Sequence, residues 1–104
     1  MARYDVYANP DPGERKRTPY LLDVQNDYID ALTTRVVVPL HREAVFGPRA
    51  RNLNPVVLVA ADSVVLDTAA LAAVPLSELK KTVATLRESS ALVQEALDTL
   101  FGAY

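Results

Sequence analysis

Apolar residues follow two different rhythms along this chain, and the change falls at Leu76. Before it they come in short, β-branched runs separated by turn residues, which is the pattern of strands. These runs predict strands over 3–8, 20–24, 33–39, 56–60 and 63–68, with 71–74 either one more strand or a helical turn. Asn9-Pro10-Asp11-Pro12-Gly13 sets a loop after the first run, because two prolines and a glycine so close together forbid regular structure. The second and third runs pair through a polar turn over Asn26 to Ala31, the fourth and fifth through Ala61-Asp62. So continuous an apolar stretch as Pro55 to Asp67 predicts strands buried on both faces or paired across an interface.

From Leu76 onward, Leu79, Val83, Leu86, Val93, Leu97 and Leu100 recur at three- and four-residue steps, broken only at Ser90. That stripe predicts a single amphipathic helix, with Ser77 at its start, Glu78 favourable in its first turn and Gly102 ending it. Ser89-Ser90 divides it into a short piece and a longer one. Strands followed by one helix give a mainly-β or α+β fold, a single domain over 1–104, and not an alternating α/β one.

Composition narrows the function classes. The chain has 104 residues, half of them hydrophobic, enough for one core and for a dimer interface besides. Cysteine is absent, which excludes disulfides and thiolate-rich zinc sites. The first residues lack the apolar run of a signal peptide, and no segment approaches the roughly 20 apolar residues of a membrane span, so a cytoplasmic location and no membrane partner are expected. A net charge of −2 argues against direct binding of nucleic acid; operator DNA would be reached only through a partner.

Catalytic parts are scarce. His41, the one histidine, is expected as a solvated loop residue beyond its strand, with no cluster to make a metal site. Three glycines cannot build a phosphate-binding loop, so no cofactor is expected. Asp23, Asp27 and Asp30 read as turn-setting side chains rather than an acid/base pair. With Gln25 and Asn26 they flank an exposed Tyr28-Ile29 pair, a surface suited to gripping another protein.

YDVY near the start, LLDVQNDYID, RVVVPL, LNPVV, AAVPLSEL and the terminal ALDTLFGAY follow the order and spacing of the CcdB toxins, over nearly the whole chain. The chain thus resembles that family. The resemblance implies an SH3-like barrel with a small second sheet and one C-terminal helix, assembled as a homodimer. It implies a non-enzymatic toxin of a toxin–antitoxin system that binds the DNA gyrase A subunit and traps the cleaved-DNA complex. A CcdA-like antitoxin with a disordered acidic tail would neutralise it, and the two together would repress their own operon.

The same resemblance places gyrase contacts on Tyr4, Asn26, Tyr28, Ile29, Asp98 and Phe101, then on Gly102, Ala103 and Tyr104. Antitoxin contacts fall on Arg15, Lys16, Arg17, Arg42, Arg49 and Arg51, whose charge suits an acidic tail. The tail departs from the family's Phe-Trp-Gly-Ile: Gly102 stands at the tryptophan position, and the chain has no tryptophan. Roughly 200 Å² of aromatic surface is missing there. Tyr104 lies about 3 Å further along a helix and about 200° around it. Three outcomes follow: a gyrase toxin with a recast surface, a toxin directed at another topoisomerase, or a non-toxic relative that serves only as antitoxin partner and co-repressor. The competing class is a MazF-like endoribonuclease toxin, which would use Arg35 or Arg42 on RNA.

Overall fold

One long strand organises the molecule. In the computed structural model, which describes residues 2–29 and 31–102, the strands are β1 (Asp5–Ala8), β2 (Tyr20–Asp23), β3 (Thr34–Arg42), β4 (Val56–Val59), β5 (Asp62–Leu66), β6 (Ala72–Pro75) and β7 (Thr82–Thr85). A single helix, α1 (Ser90–Phe101), follows. All strand pairs are antiparallel, in the order β4-β5-β3-β2-β1-β7. The nine-residue β3 lies against β2 on one side; on the other, its N-terminal half pairs with β6 and its last three residues with β5. The sheet curls into a half-barrel closed by the helix, a small α+β barrel-like fold. The β4–β5 hairpin continues this one seven-stranded sheet through β3.

Strand β3 runs three residues past the Pro39 at which the sequence reading ends it. Proline stops a ladder only where its missing N–H is needed. The Pro39 carbonyl faces the side where β6 pairing has ended at Val37 and β5 pairing begins at Leu40, and there it accepts a bond from the Asp67 N–H. The absent donor falls into that gap, so the strand continues and carries His41 into the sheet.

Apolar residues pack on both faces. Val6, Leu22, Val38, Leu40, Val64 and Leu66, all fully buried, meet Leu86 and Val93 from the helical end in the main core. Each such side chain contributes about 1.5–3 kcal/mol. A second cluster on the opposite face joins Tyr7, Leu21, Val37 and Leu79. This split overturns the single-helix expectation from Leu76. Leu79 serves one cluster and Leu86 the other, which one face of a continuous helix cannot do. Residues 76–78 form a 3₁₀ turn with no side-chain cap, and 82–85 become β7, whose pairing with β1 satisfies an otherwise open edge. The β-branched Thr82, Val83 and Thr85 were the overlooked signal. Helix α1 begins only at Ser90, after a 3₁₀ turn over Arg87–Ser89. The expected stop holds: Gly102 is left-handed at φ 70°, and its N–H bonds to the Asp98 carbonyl.

The stretch over 71–74 resolves as strand β6. The β4–β5 turn lies at Ala60-Ala61, one residue earlier than expected, with both residues at positive φ. Such a two-residue turn matches the twist of the flanking strands.

Candidate functional site

The Asp-Val-Gln-Asn-Asp run is the root of a surface loop rather than an exposed grip. Asp23 and Arg35 are both buried, at 0% and 4% exposure, and meet in a two-pronged ion pair: Nε to Oδ2 at 2.8 Å and Nη2 to Oδ1 at 2.9 Å. They sit diagonally across β2 and β3, on the face that carries the second apolar cluster. The Asp23 carboxylate holds the Arg35 guanidinium charged and raises its pKa further. Arg35 Nη2 also reaches the Gln25 carbonyl and Asp27 Oδ1, each at 3.3 Å. The buried Gln25 side chain accepts from the Val36 N–H and donates to the Ile29 carbonyl, closing the loop on itself. Asp23 and Asn26 accept from the N–H groups two residues on, as turn-setting side chains do.

With its polar roots consumed, the loop presents apolar tips. Tyr28 is 95% exposed and Ile29 about half exposed. Asn26 and Asp27 are exposed beside them. Asp30, the third candidate carboxylate, lies outside the described residues.

The helix end supplies the second part of the surface. Phe101 is 68% exposed, and Asp98 accepts a bond from Gln94 Nε2 at 2.9 Å. Gly102 caps the helix in open space. Ala103 and Tyr104, also expected at this surface, lie outside the described residues. Tyr4 is half-buried against the main core, with a positive φ of 75° unusual for a bulky residue. Such backbone strain costs on the order of 1–3 kcal/mol. It persists because the Tyr4 N–H bonds the Asp23 carbonyl and its carbonyl accepts from Leu86.

Arg3, which the sequence reading did not single out, joins the two parts. Its N–H donates to Asp27 Oδ1 at 2.8 Å, its Nη2 to Gln94 Oε1 at 3.0 Å, and its guanidinium lies 5.1 Å from the Tyr4 ring centre. The Arg3 N–H, followed by Arg35, holds the Asp27 carboxyl below the usual carboxylate range. Hairpin, N-terminus and helix are thus hydrogen-bonded into one patch. No spacing rule could have found Arg3, since its two partners lie 24 and 91 residues away.

The six basic residues expected to meet an antitoxin do not form one site. Arg15 and Arg42 border a common cleft of about 820 Å³. Arg17 borders a smaller hollow beside Thr18 and His41, while Arg49 and Arg51 line a third at the far loop. Lys16 is exposed, its carbonyl accepting from Arg42 Nε. Arg49 bonds the Asn54 carbonyl within its own loop.

His41 is not a solvated loop residue. Carried by β3 and half-buried, it bonds Thr18 Oγ1 at 2.6 Å through Nδ1 and Asp67 Oδ2 at 2.9 Å through Nε2, and its ring stacks on Phe46 at 5.7 Å. Hydroxyl, imidazole and carboxylate stand here in the order of a nucleophile, its base and an orienting acid. Thr18 is nevertheless buried, and the three residues fasten three chain segments together. Among the described residues no group of three or more His, Cys, Asp or Glu side chains could hold a metal ion, and no helix is long and apolar enough to cross a membrane.

The family model described as CcdB protein matches residues 3–102, nearly the full length. The chain belongs to the CcdB family.

Proposed function

We propose that this protein is the toxin of a toxin–antitoxin pair and acts by binding, not by bond chemistry, on the A subunit of DNA gyrase. Family membership supports a gyrase-directed toxin. The carrying observation is the joined patch: Tyr28, Ile29 and Phe101 project from elements that Arg3, Arg35 and Asp23 hold in fixed relation. Rigid aromatic anchors at the centre of an interface carry most of its binding energy. In a two-fold dimer each anchor appears twice, which fits a wedge between paired target subunits. A CcdA-like antitoxin would neutralise the dimer and, with it, repress the operon.

The left-handed Gly102 where the family pattern has an aromatic residue leaves Phe101 and Tyr28 as the large anchors among the described residues. The endoribonuclease alternative loses ground because Arg35, one of its two candidate RNA contacts, is committed to Asp23 inside the fold.

Purified protein incubated with gyrase and supercoiled DNA tests the reading. Accumulation of cleaved DNA, suppressed by Tyr28→Ala with Phe101→Ala, is the expected result. No cleaved DNA and no growth arrest on induction would remove gyrase poisoning and leave the co-repressor role.

A further inference from the structure

The two ends of the sheet are finished differently. Strand β7, the last at one end, follows Lys80-Lys81 and exposes Thr82 and Thr85, the charged and polar cover that keeps a strand edge from pairing with another chain. Strand β4, the last at the other end, has no such protection: Pro55 to Ala61 contains no charged side chain, and Leu58 is 67% exposed. Its pairing with β5 keeps a regular register, with no bulge to twist the edge away.

In an antiparallel ladder, alternate residues turn their N–H and C=O toward the paired strand. The Leu66 N–H donates to the Pro55 carbonyl at 3.1 Å, so Pro55, Val57 and Val59 face β5, and Val56 and Leu58 turn their main-chain groups to the open edge. Among the described residues nothing bonds those groups. Val57 and Val59 are buried in the main core, which holds the strand in place. Val56 is half-buried and shares the opposite face with Leu58.

We infer that a second copy of this chain pairs here, β4 antiparallel to β4 across a two-fold axis at Val57. That register sets Val56 of each copy opposite Leu58 of the other, so the outward groups bond reciprocally and Leu58 packs on Val56. Charge selects the same arrangement. Arg49 and Arg51 precede the strand and Asp62 follows it, so antiparallel pairing brings the basic end of each copy beside the acidic end of the other. A parallel pairing would set like beside like. Arg51 has no ion-pair partner among the described residues to compete with that approach. A seam one four-residue strand long buries less than the roughly 1,200 Å² of a stable interface, so the contact is weak and reversible. It rests on neither the toxin reading nor the hairpin patch.

Sedimentation velocity of the full chain, from dilute to concentrated solution, tests this. The mean mass is expected to rise with concentration above that of the dilute species. Leu58→Lys is expected to weaken the association at least about tenfold, because it sets cations on both sides of one short seam. Val56→Pro removes only an outward N–H from each copy and should weaken it about fivefold. Unchanged melting temperatures show that both variants fold. Tyr28→Ala with Phe101→Ala, on the hairpin patch, should leave the association within about twofold, as separate sites act independently. A mean mass independent of concentration overturns the inference. So does association that survives Leu58→Lys or Val56→Pro, or that is lost in the Tyr28/Phe101 variant alone.

Discussion

The hairpin patch and the cleft lined by Arg15, Arg42, Lys80 and Lys81 use charge in opposite ways. In the hairpin, Asp23, Arg35, Gln25, Asp27 and Arg3 all bond one another or the backbone, and what remains exposed is aromatic and aliphatic. In the cleft the apolar residues form the wall, while Lys80, Lys81 and Arg15 have no carboxylate partner among the described residues. The same residue types therefore do structural work in one place and stay available in the other. A charge already satisfied inside the fold has little left to offer a partner; an unsatisfied one at the surface is attracted to any opposite charge that approaches. The hairpin is thus suited to a partner recognised by shape, the cleft to one recognised by charge.

The largest expected effect comes from breaking the hairpin's buried root. Arg35→Ala leaves the Asp23 carboxylate buried and alone, which costs about 3–5 kcal/mol. Urea unfolding should show that loss, together with loss of gyrase trapping. The double change Asp23→Leu with Arg35→Met removes both charges and should recover most of the stability. If the single variant is as stable as the parent, the root does not hold the hairpin, and the contrast between the two regions fails.

A smaller effect separates tip from root. Tyr28→Ala should lower gyrase affinity by about 2 kcal/mol, as truncating an interface anchor does. Because Tyr28 is almost fully exposed, stability should change by no more than about 0.5 kcal/mol. Binding by titration calorimetry and thermal melting on the same preparation check both halves. A stability loss comparable to that of Arg35→Ala would show that the tip is part of the support.

The smallest effect is a pH dependence confined to the hairpin. Asp27 has a folded-state pKa below its ordinary value, because the Arg3 N–H and then Arg35 favour the carboxylate. Its contribution to holding the loop is therefore present above the unfolded value of about 3.9 and disappears as pH falls through the lower folded value. Amide exchange at Tyr28 and Ile29 should quicken below about pH 4, relative to core amides such as Leu22. Asp27→Asn should remove that difference between acid and neutral pH. A parallel change in hairpin and core would mean that the loop opens only with global unfolding.

Much of this was legible in the sequence. Alternation and β-branched runs gave five of the strands and left 71–74 open between strand and helical turn, because half-buried strands need a period of two whatever they pair with. Gly102 announced the helix end, since a left-handed stop favours a residue without Cβ. The LLDVQNDYID and RVVVPL stretches carried the family, and the turn-setting role of Asp23 was readable from residue type, whereas that of Asn26 came from the structure. What required the tertiary structure was every decision made by a distant partner. Residues 82–85 are a strand because β1 had an open edge, and β3 passes Pro39 because neighbouring pairings leave a gap there. His41 belongs to the sheet and not to a loop because Thr18 and Asp67 arrive from elsewhere in the chain. Arg3, Lys80 and Lys81 gain meaning only from where the fold delivers them. Local pattern fixes periodicity and turn chemistry through neighbours a few residues away. Pairing, burial and the fate of each charge depend on contacts that no local pattern contains.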